Sequence, residues 1–250
     1  MRLTLLGTGA AGGIPLYGCD CRDCRQALAN LAQERAPCSA LLEWGEHRLL
    51  LDAGLMDLHR RFAPGVLDGI LLTHFHVDHV QGLFHLRWGP AAPVPVWCPD
   101  DPAGCADLLK HPGCLDFRPE MAHGRAWQRH GLHITPLDMV HSRPTLGYLF
   151  EHGGRRLAYL TDTQGLPAHS LALLQAGPAL DVLVVDCSFP PGAEGRNHNG
   201  LEQVMAMCTQ LQPARTVLTH IGHEFHRWLR THSLPGGIEA GHDNMVIITE

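Results

Sequence analysis

Short apolar runs alternate with helical stretches in both halves of the chain. This predicts an α/β (α+β) fold: a four-layer sandwich of two mixed β-sheets lying back to back, with helices outside. Two observations support that class. A dense group of metal-binding side chains, His74 to His79, follows directly on the apolar run Gly69-Ile70-Leu71-Leu72, and layered α/β proteins build their sites at the C-terminal edges of strands. No internal repeat, low-complexity linker or composition break divides the sequence, so residues 1–250 read as a single domain.

Composition narrows the function classes. An apolar content of 45% with 18% charged residues argues for a packed core and against disorder. A formal net charge of -6 argues against a broad, nonspecific nucleic-acid surface and leaves room for a local basic patch. The first apolar run, Leu3-Thr4-Leu5-Leu6, is too short for a signal-peptide core, and there is no 18-residue apolar stretch. The expectation is a soluble, cytoplasmic protein with no membrane partner. Nine cysteines without a secretory signal suggest reduced thiols or metal ligands rather than a disulfide framework.

Residues 2–6 read as the first strand. The following Gly7-Thr8-Gly9-Ala10-Ala11-Gly12-Gly13 reads as a tight turn where backbone passes close to a neighbour. It lacks the spacing of a dinucleotide fingerprint and is not followed by a P-loop lysine. Cys19-Asp20-Cys21-Arg22-Asp23-Cys24 brings three thiols into six residues, either a loop (18–25) holding a tetrahedral zinc with a fourth ligand from elsewhere, or free thiols. Residues 25–34 read as a helix. Strands at 39–44 and 47–52 are joined by a Gly45-Glu46 turn and closed by Asp52, which is either a turn cap or a partner to a ligand histidine. After the buried strand at 69–72, a helix starts near Val80-Phe84. A strand at 94–97 and a helix from Asp100-Pro102 to about Lys110 follow. Strands are expected near 117–121, 132–137, 146–151, 156–160, 181–185, 216–219 and 245–249. Helices are expected near 168–176, 200–211 and 223–229.

His74, His76, Asp78 and His79 offer mixed nitrogen and oxygen ligation, suited to Zn, Mn or Fe. Two imidazoles two positions apart can grip one ion, and the Asp-His pair can turn to a second. Three more candidates each stand at or just after a predicted strand end: His141, Asp162 and His220. A carboxylate such as Asp162 can bridge two cations about 3.5–4 Å apart.

This ordered set resembles the signature of the metallo-β-lactamase superfamily. The resemblance implies an αββα sandwich in which His74, His76 and His141 hold one ion, Asp78, His79 and His220 the other, and Asp162 bridges them. An Asp there, where many β-lactamases carry Cys, points to the hydrolase and phosphodiesterase branches. Leu6-Gly7-Thr8-Gly9 is similar to the opening of the tRNA 3′-processing enzymes. A near-continuous set of segments resembles the phosphodiesterases of the carbon–phosphorus lyase pathway. It includes Gly18-Cys19-x-Cys21-x-x-Cys24, Asp78-His79-Val80-Gln81-Gly82, Leu86-Arg87-Trp88-Gly89, His111-Pro112-Gly113, Asp186-Cys187-Ser188, Arg196-Asn197-His198 and Leu218-Thr219-His220-Ile221. That likeness implies hydrolysis of 5-phosphoribosyl 1,2-cyclic phosphate to ribose 1,5-bisphosphate in phosphonate breakdown. It also implies two divalent active-site ions, Mn2+ favoured and Zn2+ allowed, and a homodimer with no stable nucleic-acid partner. A structural Zn2+ would sit on Cys19, Cys21, Cys24 and His223, with Cys38 the rival fourth ligand.

Hydroxide held between two cations can attack a cyclic phosphodiester, but a sugar oxygen leaves poorly unless protonated. His198 matches the family's general acid, and Asp186, at the end of the preceding strand, can orient it or serve as a cap. The 5-phosphate needs a cation. Arg143, two residues after His141, is the choice, with Arg196 and Lys110 as alternatives, while Arg87 packs beside Trp88. The rivals are a tRNA 3′-end endonuclease, a 2′,3′-cyclic nucleotide phosphodiesterase, a β-lactam or lactone hydrolase and a di-iron redox module. The endonuclease usually carries a protruding arm, and no long Gly/Pro/Lys-rich insertion is found here. The redox module typically has a carboxylate at the place of His76 or Val77.

Overall fold

The apolar runs of the sequence become the strands of a computed structural model that describes residues 1–249. Strands β1 (Arg2–Gly7), β2 (Ser39–Trp44), β3 (His47–Leu51), β4 (Gly69–Leu71), β5 (Val94–Pro99) and β6 (Leu115–Met121) form one sheet in sequence order. The other sheet carries β7 (Trp127–Arg129), β8 (Leu132–Asp138), β9 (Leu146–His152), β10 (Arg155–Leu160), β11 (Val182–Asp186), β12 (Arg215–Thr219) and β13 (Ile238–Ala240). The final strand, β14 (Met245–Ile248), returns to the first sheet and pairs antiparallel with β1. Each seven-stranded sheet is mixed. The first is antiparallel up to β3 and parallel from β3 to β6, the second antiparallel from β7 to β10 and parallel from β10 to β13.

The two-residue period of a strand sorts the side chains into layers. Leu49 and Leu51 of β3 pack between the sheets with Leu3, Leu5, Tyr148, Phe150, Val182 and Val184. Leu50, between them in sequence, faces the other way and joins Leu58, Val80 and Leu83. Leu183 and Val185 of β11 likewise turn outward to Val204, Met207 and Phe225. Each such side chain, taken fully out of water, contributes roughly 1.5–3 kcal/mol. The outer layers hold α2 (Leu58–Arg61), α3 (Val77–Val80), α4 (Leu83–Leu86) and α5 (Ala106–Lys110) on the first sheet. On the second lie α6 (Ala168–Gln175), α7 (Leu201–Leu211) and α8 (His223–Trp228). Helix α1 (Arg22–Ala29) follows the cysteine loop.

Several boundaries differ from the sequence expectation. The helix expected at 25–34 starts at Arg22, where Cys21 caps it, and ends at Ala29 before a 3-10 turn. The one expected from Asp100 begins only at Ala106, because the Asp101 carboxylate accepts the N–H groups of Ala103 and Gly104 and holds a turn there. Helix α2 and the three-residue edge strands β7 and β13 are too short to show a period in sequence. The glycine-rich stretch after β1 is a close approach: a Cβ on Gly9 would lie 2.7 Å from the Arg35 carbonyl oxygen. No helix among the described residues is long and apolar enough to cross a membrane.

Candidate metal centre

Strand ends from both sheets converge on one edge of the sandwich. Asp52 follows β3, the His74–His79 segment follows β4, His141 follows β8, Asp162 follows β10, Asp186 ends β11 and His220 follows β12. Asp52, Asp162 and His220 all take left-handed backbone angles, with φ of 56°, 55° and 49°. Non-glycine residues adopt that region at a cost and concentrate there at functional sites. Gly54 brings the β3 turn against the same edge, since a Cβ there would lie 2.1 Å from the Asp78 carbonyl oxygen.

The seven residues sort into two donor groups. In the first, His76 Nδ1 lies 2.8 Å from His74 Nε2 and 3.0 Å from His141 Nε2, and Asp162 Oδ2 stands 3.6 and 3.7 Å from those two Nε2 atoms. In the second, His79 Nε2 lies 3.4 Å from Asp78 Oδ2, and His220 Nε2 lies 3.5 Å from the same oxygen. Asp162 Oδ1 completes it, 3.3 Å from His79 and 3.6 Å from His220. Asp162 thus turns one oxygen to each group. Donor separations near 3 Å are those of ligands about 2.0–2.2 Å from a shared ion. His79 Nε2 is buried with no hydrogen-bond partner, an orphan that a cation would satisfy. The donor set fits divalent ions.

The opposite ring nitrogens are held. His79 Nδ1 lies 2.8 Å from Asp52 Oδ2, His220 Nδ1 3.1 Å from the Ser188 hydroxyl, and His141 Nδ1 2.9 Å from the Asn197 carbonyl oxygen. His74 Nδ1 meets the Thr73 hydroxyl at 3.0 Å, and that hydroxyl reaches Asp52. A proton on each of these Nδ1 atoms leaves Nε2 with its lone pair facing the centre. Electrostatics agree for the first group: burial pushes the pKa values of His74, His76 and His141 below the usual histidine range, keeping them neutral. Burial opposes charge on Asp162, but His220, His79 and His74 outweigh it and hold the carboxylate well below its ordinary pKa.

Beside the two groups, His198 stacks on His220 with ring centroids 4.6 Å apart. Its Nδ1 lies 3.4 Å from Asp186 Oδ2 and 3.9 Å from Asp162 Oδ2. Asp186 is fully buried, and burial pushes its pKa up against the pull of His198. The expectation for Arg143 changes with the structure. Its guanidinium is already engaged by the Asp101 carboxylate at 2.8 and 2.5 Å and by the carbonyl oxygens of Phe75 and Gly104. Arg196, two residues before His198, is exposed and has no ion-pair partner among the described residues. Arg87 packs as anticipated, 4.6 Å from the Trp88 ring centroid and paired with Asp107.

A third cluster lies in the cysteine loop. The Sγ atoms of Cys19, Cys21 and Cys24 stand 3.5, 3.4 and 3.3 Å from His223 Nε2. Tetrahedral zinc with three sulfurs and one nitrogen places its donors about 3.5 Å apart, so this set fits the ion. The Cys24 N–H pointing at Cys21 Sγ helps lower that thiol to about 6. Cys38, the rival ligand, is elsewhere: buried between the sheets, its Sγ 3.2 Å from the Tyr159 hydroxyl.

The pattern of a beta-lactamase superfamily domain matches residues 47–221, 70% of the chain. The chain belongs to that superfamily. Among solved structures, a new diphosphatase from the PhnP family superposes with a TM-score of 0.81 at 26% identity, covering 100% of this chain and 98% of that one. An octanoyltransferase of Porphyromonas gingivalis is 28% identical over 275 residues, covering 100% of this chain and 52% of its own length. The superfamily chain described here therefore spans about half of that relative. A ribonuclease Z of Mycobacterium bovis is 28% identical over 208 residues, 71% of this chain and 67% of that protein.

Sequence reasoning missed four contributors to this superfamily site. Thr73 and Ser188 hold ligand histidines, Asp101 holds Arg143, and the fully buried Asn199 holds Asp186. Thr73 and Ser188 stood inside the quoted resemblance segments or beside the histidines, where adjacency was a usable signal. Asp101 is 42 residues from its partner and carries no sequence signal.

Proposed function

We propose that this metal-dependent hydrolase is a phosphodiesterase that opens 5-phospho-α-D-ribosyl 1,2-cyclic phosphate to ribose 1,5-bisphosphate in phosphonate breakdown. His74, His76 and His141 would hold one divalent ion, Asp78, His79 and His220 the other, with Asp162 shared between them. Mn2+ is favoured, and Zn2+ suits the same donors. Cys19, Cys21, Cys24 and His223 would hold a structural Zn2+. The family likeness extends the proposal to a cytoplasmic homodimer with no stable nucleic-acid partner.

The observation that carries this reading is the His198–Asp186 pair. His198 stands at the centre, 3.9 Å from Asp162, yet belongs to neither donor group, and a buried carboxylate backs it at 3.4 Å. A proton donor set apart from the ions is what a sugar alkoxide leaving group requires. When bound, a pair of divalent ions polarises the phosphoryl oxygens and lowers the pKa of water. The remaining work falls to the chain. Asp186 faces His198 Nδ1 at 3.4 Å, which leaves the other ring nitrogen to protonate the departing sugar oxygen. Arg196, in place of the engaged Arg143, meets the 5-phosphate. The PhnP-family diphosphatase, similar over the whole chain, supports phosphoester chemistry.

The ribonuclease Z relative favours a second reading, a tRNA 3′-processing nuclease. The net charge of -6 speaks against it. Phosphorus NMR of the Mn-loaded protein with the cyclic ribosyl diester, 2′,3′-cyclic AMP and a precursor tRNA separates the readings. Fast, preferred opening of the ribosyl ring to a 1-phosphate is expected. No opening with tRNA cleaved would move the chain to the nuclease branch.

A further inference from the structure

Asn199 is fully buried, and the polar atoms of its side chain and backbone are all used. Its Nδ2 donates to Asp186 Oδ1 at 2.7 Å, and its backbone N–H to Asp186 Oδ2 at 3.1 Å. Its Oδ1 accepts the Gly165 N–H at 2.8 Å, in the loop that follows Asp162. Its carbonyl oxygen accepts the N–H groups of Ser188 at 2.9 Å and Phe189 at 3.3 Å. The loop from Phe189 to His198 is therefore closed at its neck by Asn199, with His198 as the last residue before the closure. The loop is pinned again by Gln164 Nε2 on the Gly195 carbonyl oxygen at 2.9 Å.

A carboxylate can rotate about its Cβ–Cγ bond. Asp186 accepts one Asn199 donor on each oxygen, and this fixes its plane. In that plane Oδ2, which takes the weaker of the two bonds, also faces His198 Nδ1 at 3.4 Å. His198 Nδ1 is buried and makes no hydrogen bond, and the carboxylate oxygen it faces most closely is Asp186 Oδ2. Aligning Asp186 therefore sets the carboxylate edge that the imidazole Nδ1 faces.

We propose that Asn199 is a positioning residue for the proton donor: it holds Asp186 so that His198 presents a proton to the leaving oxygen. This rests on the reading of His198 as general acid. As the P–O bond to the sugar breaks, the proton leaves His198 for that oxygen, and water supplies the new P–O bond. Asn199 touches neither. An aryl ester that leaves as nitrophenolate needs no proton, so positioning of the donor should not affect it.

The test compares the cyclic ribosyl diester, whose leaving group is an alkoxide, with bis(p-nitrophenyl) phosphate. The Mn-loaded wild type, Asn199→Asp, Asn199→Ala and His198→Ala are measured on both. Asn199→Asp keeps the size and an acceptor for the Gly165 N–H, and it sets a second buried carboxyl against Asp186 Oδ1 in place of the amide donor. The ratio of the two kcat/KM values is unaffected by the fraction of protein folded, so a partly destabilised variant still reports. The expected result is a ratio lowered about 100-fold or more in all three variants. KM on the ribosyl diester and both active-site ions, counted by elemental analysis, should be retained. A second readout is a downfield imidazole N–H proton signal in the Zn-loaded protein, assigned by its loss in His198→Ala and expected to shift in Asn199→Asp. If His198→Ala lowers the ratio and the Asn199 variants leave it unchanged, the positioning role is overturned and the general acid stands. If His198→Ala leaves the ratio unchanged, the general-acid reading fails and this inference falls with it.

Discussion

Asp52 Oδ2 lies 2.8 Å from His79 Nδ1, and both side chains are fully buried. The other oxygen takes the Thr73 N–H at 2.8 Å, and the Thr73 hydroxyl sits 3.0 Å from His74 Nδ1. One carboxylate therefore orients a histidine in each donor group, directly in one and through a hydroxyl in the other. Burial disfavours the charge on His79, but Asp162 and Asp52 outweigh it and raise its pKa well above the ordinary value.

Asp52→Asn removes the anion and keeps the shape. Binding of the ion shared by Asp78, His79 and His220 should weaken about 10–100-fold, read by competition with a chelator. Asp52→Ala also leaves His79 Nδ1 without a partner, and chemical unfolding should show a loss of about 3–5 kcal/mol. Unchanged ion affinity in both variants would remove Asp52 from the account of the site.

Cys21→Ser should remove one zinc per chain by elemental analysis while two active-site ions remain. Tm should fall by roughly 5–10 °C, at about 2–4 °C for each kcal/mol lost in a chain of this size. A zinc count equal to the wild type would dismiss the Cys19, Cys21, Cys24 and His223 cluster as a metal site.

Arg196→Ala should raise KM for the 5-phosphorylated cyclic diester about tenfold, the loss of one exposed charge-assisted contact of about 1.4 kcal/mol. kcat should hold, and the corresponding diester without its 5-phosphate should show no such change. Equal effects on both substrates would rule out a 5-phosphate contact.

His226 gives a pH dependence of stability. Burial, then the charge of Arg35, depresses its pKa to about 4, and its Nδ1 accepts from Arg35 Nε at 2.9 Å. The unfolded chain takes up this proton near pH 6.5. Between about pH 6.5 and 4 the unfolded state binds a proton that the native state refuses, so His226 lowers stability as pH falls through that window. His226→Asn can keep an acceptor for Arg35 without titrating. Thermal unfolding at pH 7 and pH 4.5 should show a smaller loss in the variant. Asp243, whose pKa burial raises, acts with the opposite sign in both proteins and drops out of the comparison. Parallel losses would mean that His226 is protonated in the native state.

Legibility in the sequence followed sequence distance. The strands that build the sandwich could be read because their apolar runs carry a local period, whereas α2, β7 and β13, at three or four residues, are shorter than any period that would reveal them. The four donors from His74 to His79 stand out because they crowd one loop. His141, Asp162 and His220 gain meaning only from their places at strand ends, and the family likeness supplied the grouping that residue types alone left open.

By itself the sequence determined the fold class, the superfamily and the types of donor available, since these depend on local pattern and on side-chain chemistry. Only the tertiary structure decided how the donors are shared. It turned one oxygen of Asp162 to each group, tied Arg143 to Asp101, moved Cys38 away from the cysteine loop and closed the His198 loop with Asn199. The physical reason is the same in each case. A buried polar group must find partners wherever the packed chain brings them, and those partners lie tens to more than a hundred residues away, except for Asn199, 13 residues from Asp186 across a single loop.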